Sequence, residues 1–410
     1  MVSISPDELA LELLNQCLRG NSHSTDLLET LLRLAQSPDP AQARKASRAL
    51  FGIVVERLGD LFDPCLCDSY AALFSDVISF ALPDLDASIL LDRYKRVRTP
   101  RKFEGNAERV RDVFVLSRVT LGADVAITSL CLAAMKQRFP VARIYLVGPR
   151  KNFELFAGDP RISHAPIAYG REGTLSERLS VYPVLHELLD VPGAVIVDPD
   201  SRLTQLGLLP VCAEEHYYFF ESRGYGEYGP ETLPALTRRW LDQTFSISDV
   251  SAFLAPADTV PGADITISLG VGENPSKRIG DPFERRLLEH LAGKGRSILI
   301  DRGGSPDESA RVDRTIDGLD GVRTWTGSFA PFAGAIAKSK LYTGYDSAGQ
   351  HVAAACGTPL LTIFAGFPSP RMFQRWSPDG PGPKRIVQVD NPDPAAAYEA
   401  AARAIDELLS

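Results

Sequence analysis

From about residue 113 to its end, the chain alternates short apolar runs with stretches of helical periodicity. The runs fall at 113–116, 144–147, 194–197 and 217–220, then at 265–268, 298–300, 322–325, 341–342, 360–364 and 386–389. Such short runs, apolar at nearly every position, suit strands buried on both faces. The helical stretches between them supply the crossovers that parallel strands require. A connector at 246–262, rich in Ser, Ala, Asp and Pro, divides the alternation into two sets. The pattern predicts an α/β chain with two successive doubly wound domains. In such folds ligands sit beyond the carboxyl ends of the strands, and a cleft between the domains is the default site.

Residues 1 to about 100 read differently. Ser5-Pro6-Asp7-Glu8 is a helix start, and Leu9, Leu13 and Leu14, then Leu28, Leu31 and Leu32, then Leu50, Val54 and Leu58 mark successive apolar helix faces. Strand signals are nearly absent, and the basic, Pro-broken stretch 94–102 reads as a linker. The expected division is a helical domain at 1–104 and two α/β domains at 105–255 and 256–410. The last helix is expected to pack back on the N-terminal half.

Composition narrows the function classes. The 410 residues carry 44 Lys+Arg against 52 Asp+Glu, a net charge of −8, which argues against a nucleic-acid binder relying on overall charge. No apolar run approaches the roughly 18 residues needed to span a bilayer, and residues 1–8 lack the basic start and apolar stretch expected of a signal peptide. The expected location is cytoplasmic, with peripheral contact to the inner face of a membrane left open. Cys17, Cys65, Cys67, Cys131, Cys212 and Cys356 have no zinc spacing and read as reduced thiols.

Four segments at strand ends could carry chemistry. Ser117-Arg118-Val119-Thr120-Leu121-Gly122-Ala123-Asp124 ends in a carboxylate at a helix start. There Asp124 could accept a proton from a substrate hydroxyl or serve as a plain N-cap. Asp346-Ser347-Ala348-Gly349-Gln350-His351 offers small residues and open backbone N–H groups at another helix start, suited to a phosphate. The loop from Ser268 to Arg278, including Glu273, ends in Lys277 and Arg278. These cations could neutralise a departing diphosphate or form a solvated basic turn. Asp198-Pro199-Asp200-Ser201-Arg202 imitates a metal-holding Asp-x-Asp pattern but fits a turn shaping an acceptor cleft better. The stretch 221–229, with three glycines and two tyrosines, reads as a loop able to grip a sugar.

In order and spacing these segments resemble glycosyltransferase family 9, the heptosyltransferase-like enzymes of the GT-B fold. Arg118, Gly122, Asp124 and Phe139-Pro140 stand where the family has its N-terminal motif; Asp346-Ser347, His351 and Gly357-Thr358-Pro359 match its C-terminal one. Ser276-Lys277-Arg278 resembles the family's Lys-Arg-Trp segment, and Gly303-Gly304 through Glu308 its Gly-Gly-x-x-Glu turn. The match covers about 110–390. Ala123 stands as an extra residue before the Asp, Ala348 replaces a family Gly, and Ile279 stands where Trp is frequent.

The resemblance implies an inverting, metal-independent transfer from a nucleotide-diphosphate sugar, with no cofactor. Asp124 would be the general base. Lys277, Arg278, Asp346, Ser347, Ala348, Gly349 and His351 would form the donor side in the second α/β domain. Arg118, Gly122, Asp198, Asp200 and Arg202 would form the acceptor side in the first. The acceptor would be a glycan, a lipid-linked sugar or a protein, and the helical region could dock a protein partner or mediate self-association. A non-catalytic sugar-binding protein and a GT-B nucleotide-sugar epimerase remain the alternatives.

Overall fold

The computed structural model describes the chain apart from residues 1–4, 21–22, 171, 273 and 391–392. The start of the N-terminus and Glu273 therefore lie outside the described residues. Two parallel sheets organise it. The first has β1 (Asp112–Leu116), β2 (Arg143–Gly148), β3 (Ile162–Pro166), β4 (Val195–Asp198) and β5 (Tyr217–Phe219) in the order β3-β2-β1-β4-β5. The second has β6 (Ile265–Ser268), β7 (Ile298–Asp301), β8 (Val322–Trp325), β9 (Leu341–Tyr345), β10 (Leu360–Ala365) and β11 (Lys384–Val389) in the order β11-β10-β9-β6-β7-β8. In each sheet the order reverses at the first strand, the topological switch point of a doubly wound fold. Central strands β4, β6, β9 and β10 are buried at every residue, which is why apolar residues dominate them and none carries an exposed face. The predicted α/β class with two parallel sheets is what the chain adopts.

The chain divides into two compact units. One comprises Met1–Val119, Ala134–Pro149 and His164–Ser248; the other comprises Thr120–Ala133, Arg150–Ser163 and Asp249–Ser410.

In the first unit, helices from Pro6–Leu18 to Ala87–Val97 precede the sheet. Ser5 and Glu8 form the reciprocal capping box that starts the first. These helices share one core with the sheet: Leu13, Leu31, Leu50 and Phe74 join Phe114, Leu116, Ile196 and Phe219. The stretch read as a linker begins inside the last of them. Tyr94 is buried and donates to Glu221, Arg98 pairs with Glu221 at 2.9 Å, and Arg96 pairs with Glu214 at 2.6 Å. Glu214 and Glu221 lie more than 100 residues from these arginines in the chain, and Arg98 also pairs with Asp68.

In the second unit the sheet packs on its own helices. The C-terminal helix Pro394–Leu409, expected on the N-terminal half, lies on β10, β11 and helix Phe283–Ala292. Ala397, Ala401 and Ala404 recur along one face and let it approach that core closely. All six cysteines are free thiols. Among the described residues no helix is long and apolar enough to cross a membrane.

Candidate functional site

The chain leaves β1 through Val119, whose φ is +69°. A β-branched residue in the left-handed region is strained by about 1–3 kcal/mol and persists only where its surroundings hold it. Thr120 then caps a helical turn at Leu121–Ala123, and Asp124–Thr128 continues as a π-helical turn. A π turn holds more residues than an α turn and is frequent at functional sites, so the additional Ala123 can be absorbed there.

Asp124 is thus not the N-cap that its position suggested. It lies in the π turn, has no solvent exposure, and accepts from Thr128 Oγ1 and Asn152 Nδ2, each at 2.6 Å. Beside it, a methyl group on Gly122 would come within 3.2 Å of Ala348 Cα and of His351 Cδ2. Glycine is what lets this turn lie against helix Ala348–Cys356 in the same unit.

That helix follows β9 through Asp346 and Ser347. Ser347 is its N-cap residue, but its hydroxyl makes no capping bond, so the first-turn N–H groups keep the partial positive charge of an open helix start. Lys277 stands at the same place, its Nζ 2.6 Å from Asp346 Oδ2. The other oxygen of Asp346 accepts from Gln350 Nε2 at 2.5 Å, and Gln350 Oε1 accepts from Thr362 Oγ1 at 2.7 Å. His351 is buried; burial pushes its pKa down to about 4, more strongly than Asp346 raises it, with Lys277 lowering it further. The imidazole is therefore neutral near pH 7.

Gly349, expected to let a phosphate approach the backbone, has a different occupant. A methyl group there would overlap the Tyr342 hydroxyl. Tyr342 is fully buried, and its hydroxyl sits near Ser347 and Ser268 without a well-formed hydrogen bond to either. Gly349 thus makes room for this phenol from below.

Arg278 points away from Asp346. It pairs at 3.2 Å with the buried Glu284, which also binds Arg311 at 2.6 Å and accepts from the Tyr345 hydroxyl at 3.0 Å. Arg278 and Arg311 line an open cavity of about 550 Å³, together with Gly272, Ser305, Glu308 and Arg314. Glu308 folds back to accept from the Gly304 N–H at 3.1 Å. A side chain on Gly303, whose φ is +81°, would displace the Glu308 carboxylate from this position.

The residues expected on the acceptor side are drawn from both units. Gly122 belongs to the second unit, while Arg118, Asp198, Asp200 and Arg202 belong to the first. Asp198 is buried and accepts from Tyr217 and Thr204 hydroxyls at 2.5 Å and from Ser201 N–H at 2.6 Å; burial raises its pKa to about 6. Asp200 accepts from Ser222 at 2.7 Å and pairs with Arg223 at 2.9 Å and Arg118 at 3.5 Å. Arg202 reaches Glu56 at 3.7 Å. These groups tie the turn after β4 to the helices and to the segment after β5. Glu221, Ser222 and Arg223 are buried in that network, so only the later part of 221–229 is available as a loop. A further recess of about 390 Å³, lined by Arg101, Arg109, Val195 and His216, opens at the strands' amino ends, away from the expected ligand side.

Thr128, Asn152, Gln350, Tyr342 and Arg311 were not singled out from the sequence. Thr128 was readable, lying one turn after Asp124. Asn152, 28 residues from Asp124, left no local signal.

Two doubly wound parallel sheets, with candidate ligand-binding residues in the loops after their strands, define the GT-B class of fold. Within that class the likeness is to heptosyltransferases. The Escherichia coli heptosyltransferase WaaC with ADP matches at a TM-score of 0.55 and 15% identity, over 72% of this chain and 99% of that one. WaaC with ADP-2-deoxy-2-fluoro heptose matches at 0.54 and 14%, over 73% and 98%. The glycosyl transferase family 9 structure from Veillonella parvula DSM 2008 matches at 0.53 and 15%, over 74% and 98%. No family model matches the chain, and no curated protein matches it in sequence. At such identity the likeness establishes a heptosyltransferase-like fold.

Proposed function

We propose that the protein is an inverting, metal-independent glycosyltransferase moving a sugar from a nucleotide-diphosphate sugar to a glycan, lipid-linked or protein acceptor in the cytoplasm. The observation that carries the reading is the packing, in one unit, of the turn that holds Asp124 against helix Ala348–Cys356, whose open start carries the Asp346–Lys277 pair. A carboxylate beside a cationic, N–H-rich pocket is the pairing that glycosyl transfer needs. Asp124 takes the proton of the acceptor hydroxyl as its oxygen attacks the anomeric carbon. The bond from that carbon to the diphosphate breaks, and the negative charge that develops on the leaving oxygen meets Lys277 and the first-turn N–H groups. His351, neutral near pH 7, supplies at most one N–H. Because Asp124 has no exposure, the Thr120–Ala123 turn must part from the helix for an acceptor to reach it.

The WaaC structure holds ADP, which makes ADP-sugars the first donors to test. Purified protein is incubated with ADP-, GDP- and UDP-sugars and a panel of acceptor glycans, with release of nucleoside diphosphate as readout. Turnover of one donor that depends on acceptor, lost by about 10²–10⁴-fold in Asp124→Asn, is the expected outcome. Binding of a donor with no turnover would make the protein a sugar-nucleotide binder. Conversion of a donor without acceptor, seen by NMR, would make it an epimerase.

A further inference from the structure

We propose that Asn152 is a positioning residue for Asp124, its side-chain amide holding the carboxylate in the orientation from which Asp124 takes the acceptor proton. The inference rests on Asp124 being the base and adds the device that aims it.

Asn152 lies in the short helix Arg150–Phe153 that follows β2, in the same unit as Asp124. Neither residue has any solvent exposure. An ionised carboxylate only accepts, so the amide nitrogen must face it, and Nδ2 lies 2.6 Å from Oδ2. Thr128 Oγ1 holds Oδ1 at 2.6 Å from the π turn itself. Two donors from two separate elements, one on each oxygen, fix the plane of the carboxylate.

The arrangement carries a cost that packing alone would not select. With Nδ2 on Asp124, Asn152 Oδ1 is buried without a hydrogen-bond partner, and an unsatisfied buried acceptor is destabilising. Leucine has the same branched heavy-atom skeleton, though it is larger, and would bury no orphan oxygen. What it cannot do is donate to Asp124. Groups that orient a reacting residue in this way typically change rate by about 10–100-fold when removed.

His351 and Asp346 come from the start of helix Ala348–Cys356, which packs against the π turn, and Lys277 joins Asp346 from the loop after β6. On Asn152's own helix, Arg150 is exposed and pairs with Glu154, and Lys151 is exposed. None of these is changed in the variants below.

The test compares Asn152→Asp, Asn152→Leu and Asp124→Asn with the unaltered protein. It uses whichever ADP-, GDP- or UDP-sugar is turned over, with diphosphate release followed from pH 5 to 9. In Asn152→Asp a second carboxylate shares a proton with the first, and the acidic limb of kcat/KM should move up by about one to two pH units. Asn152→Leu should fold, and should lower kcat about 10–100-fold with donor KM unchanged. An unshifted limb in a folded Asn152→Asp, or an unchanged kcat in Asn152→Leu, would overturn the assignment while Asp124→Asn stays inactive. Full activity in Asp124→Asn would instead remove the base, and the positioning role with it.

Discussion

Replacing Lys277 by Met should separate ligand binding from mere stabilisation. Lys277 Nζ and Asp346 Oδ2 are 2.6 Å apart, with side chains 16% and 8% exposed. At an effective dielectric of about 20 their gross attraction is about 6 kcal/mol, most of it offset by desolvation, leaving a net coupling of roughly 1–3 kcal/mol. A double-mutant cycle of Lys277→Met and Asp346→Asn, read by urea denaturation, should return a coupling of that size. Nucleotide affinity should behave asymmetrically. If Lys277 meets the diphosphate, Lys277→Met should weaken ADP by about 10- to 100-fold in calorimetry, 1.4 to 2.8 kcal/mol. Asp346→Asn removes a competing anion, so ADP binding should hold or tighten, despite the lost stability. Equal weakening in both variants would mean that the pair only braces the loop after β6. Unchanged affinity in Lys277→Met would remove it from the donor site.

Three further outcomes follow from particular contacts. Gly349→Ala pushes a methyl into the Tyr342 hydroxyl and should cost about 1–3 kcal/mol of stability; the double variant with Tyr342→Val should show coupling of at least about 1 kcal/mol, and additive losses would deny the contact. His351 has its folded pKa lowered to about 4 from 6.5. Its contribution is present above pH 6.5 and lost as pH falls through 4, by about 3 kcal/mol at most. His351→Gln should therefore flatten the stability profile between those pH values, and an unchanged slope would contradict the burial of the neutral ring. Arg223→Met leaves Asp200 buried with only the longer Arg118 pair and should cost about 3–5 kcal/mol; Asp200→Asn in that background should recover part of it, and a fully stable Arg223→Met would show the pair to be dispensable.

The strands were readable wherever burial on both faces left an apolar run, as at Val113–Leu116 or Leu360–Phe364 in β1 and β10. Strand β3 was not: Ile162–Pro166 is buried only at Ile162 and Ala165, carries Ser163 and His164, and lies at an edge of its sheet. Its pattern is that of a loop. The helical character of 64–81 and 87–97 is legible, but not the roles of Tyr94 and Arg98, which come from Glu221 and, for Arg98, also Asp68. In the site, Lys277 and Asp346 were both marked from the sequence, but not their pairing across 69 residues. Gly349 was noticed for its missing side chain, and the occupant of that space, Tyr342, was invisible until β9 and the helix start lay together. Local chemistry is legible in a sequence; contacts between separate elements are not.

The most direct test of the account compares the unaltered protein with Asp124→Asn on one donor, following nucleoside diphosphate release with acceptor present and ADP-, GDP- or UDP-sugar binding in parallel. The account predicts donor binding by both proteins and turnover by the unaltered one only. Undiminished turnover by a folded Asp124→Asn would contradict it.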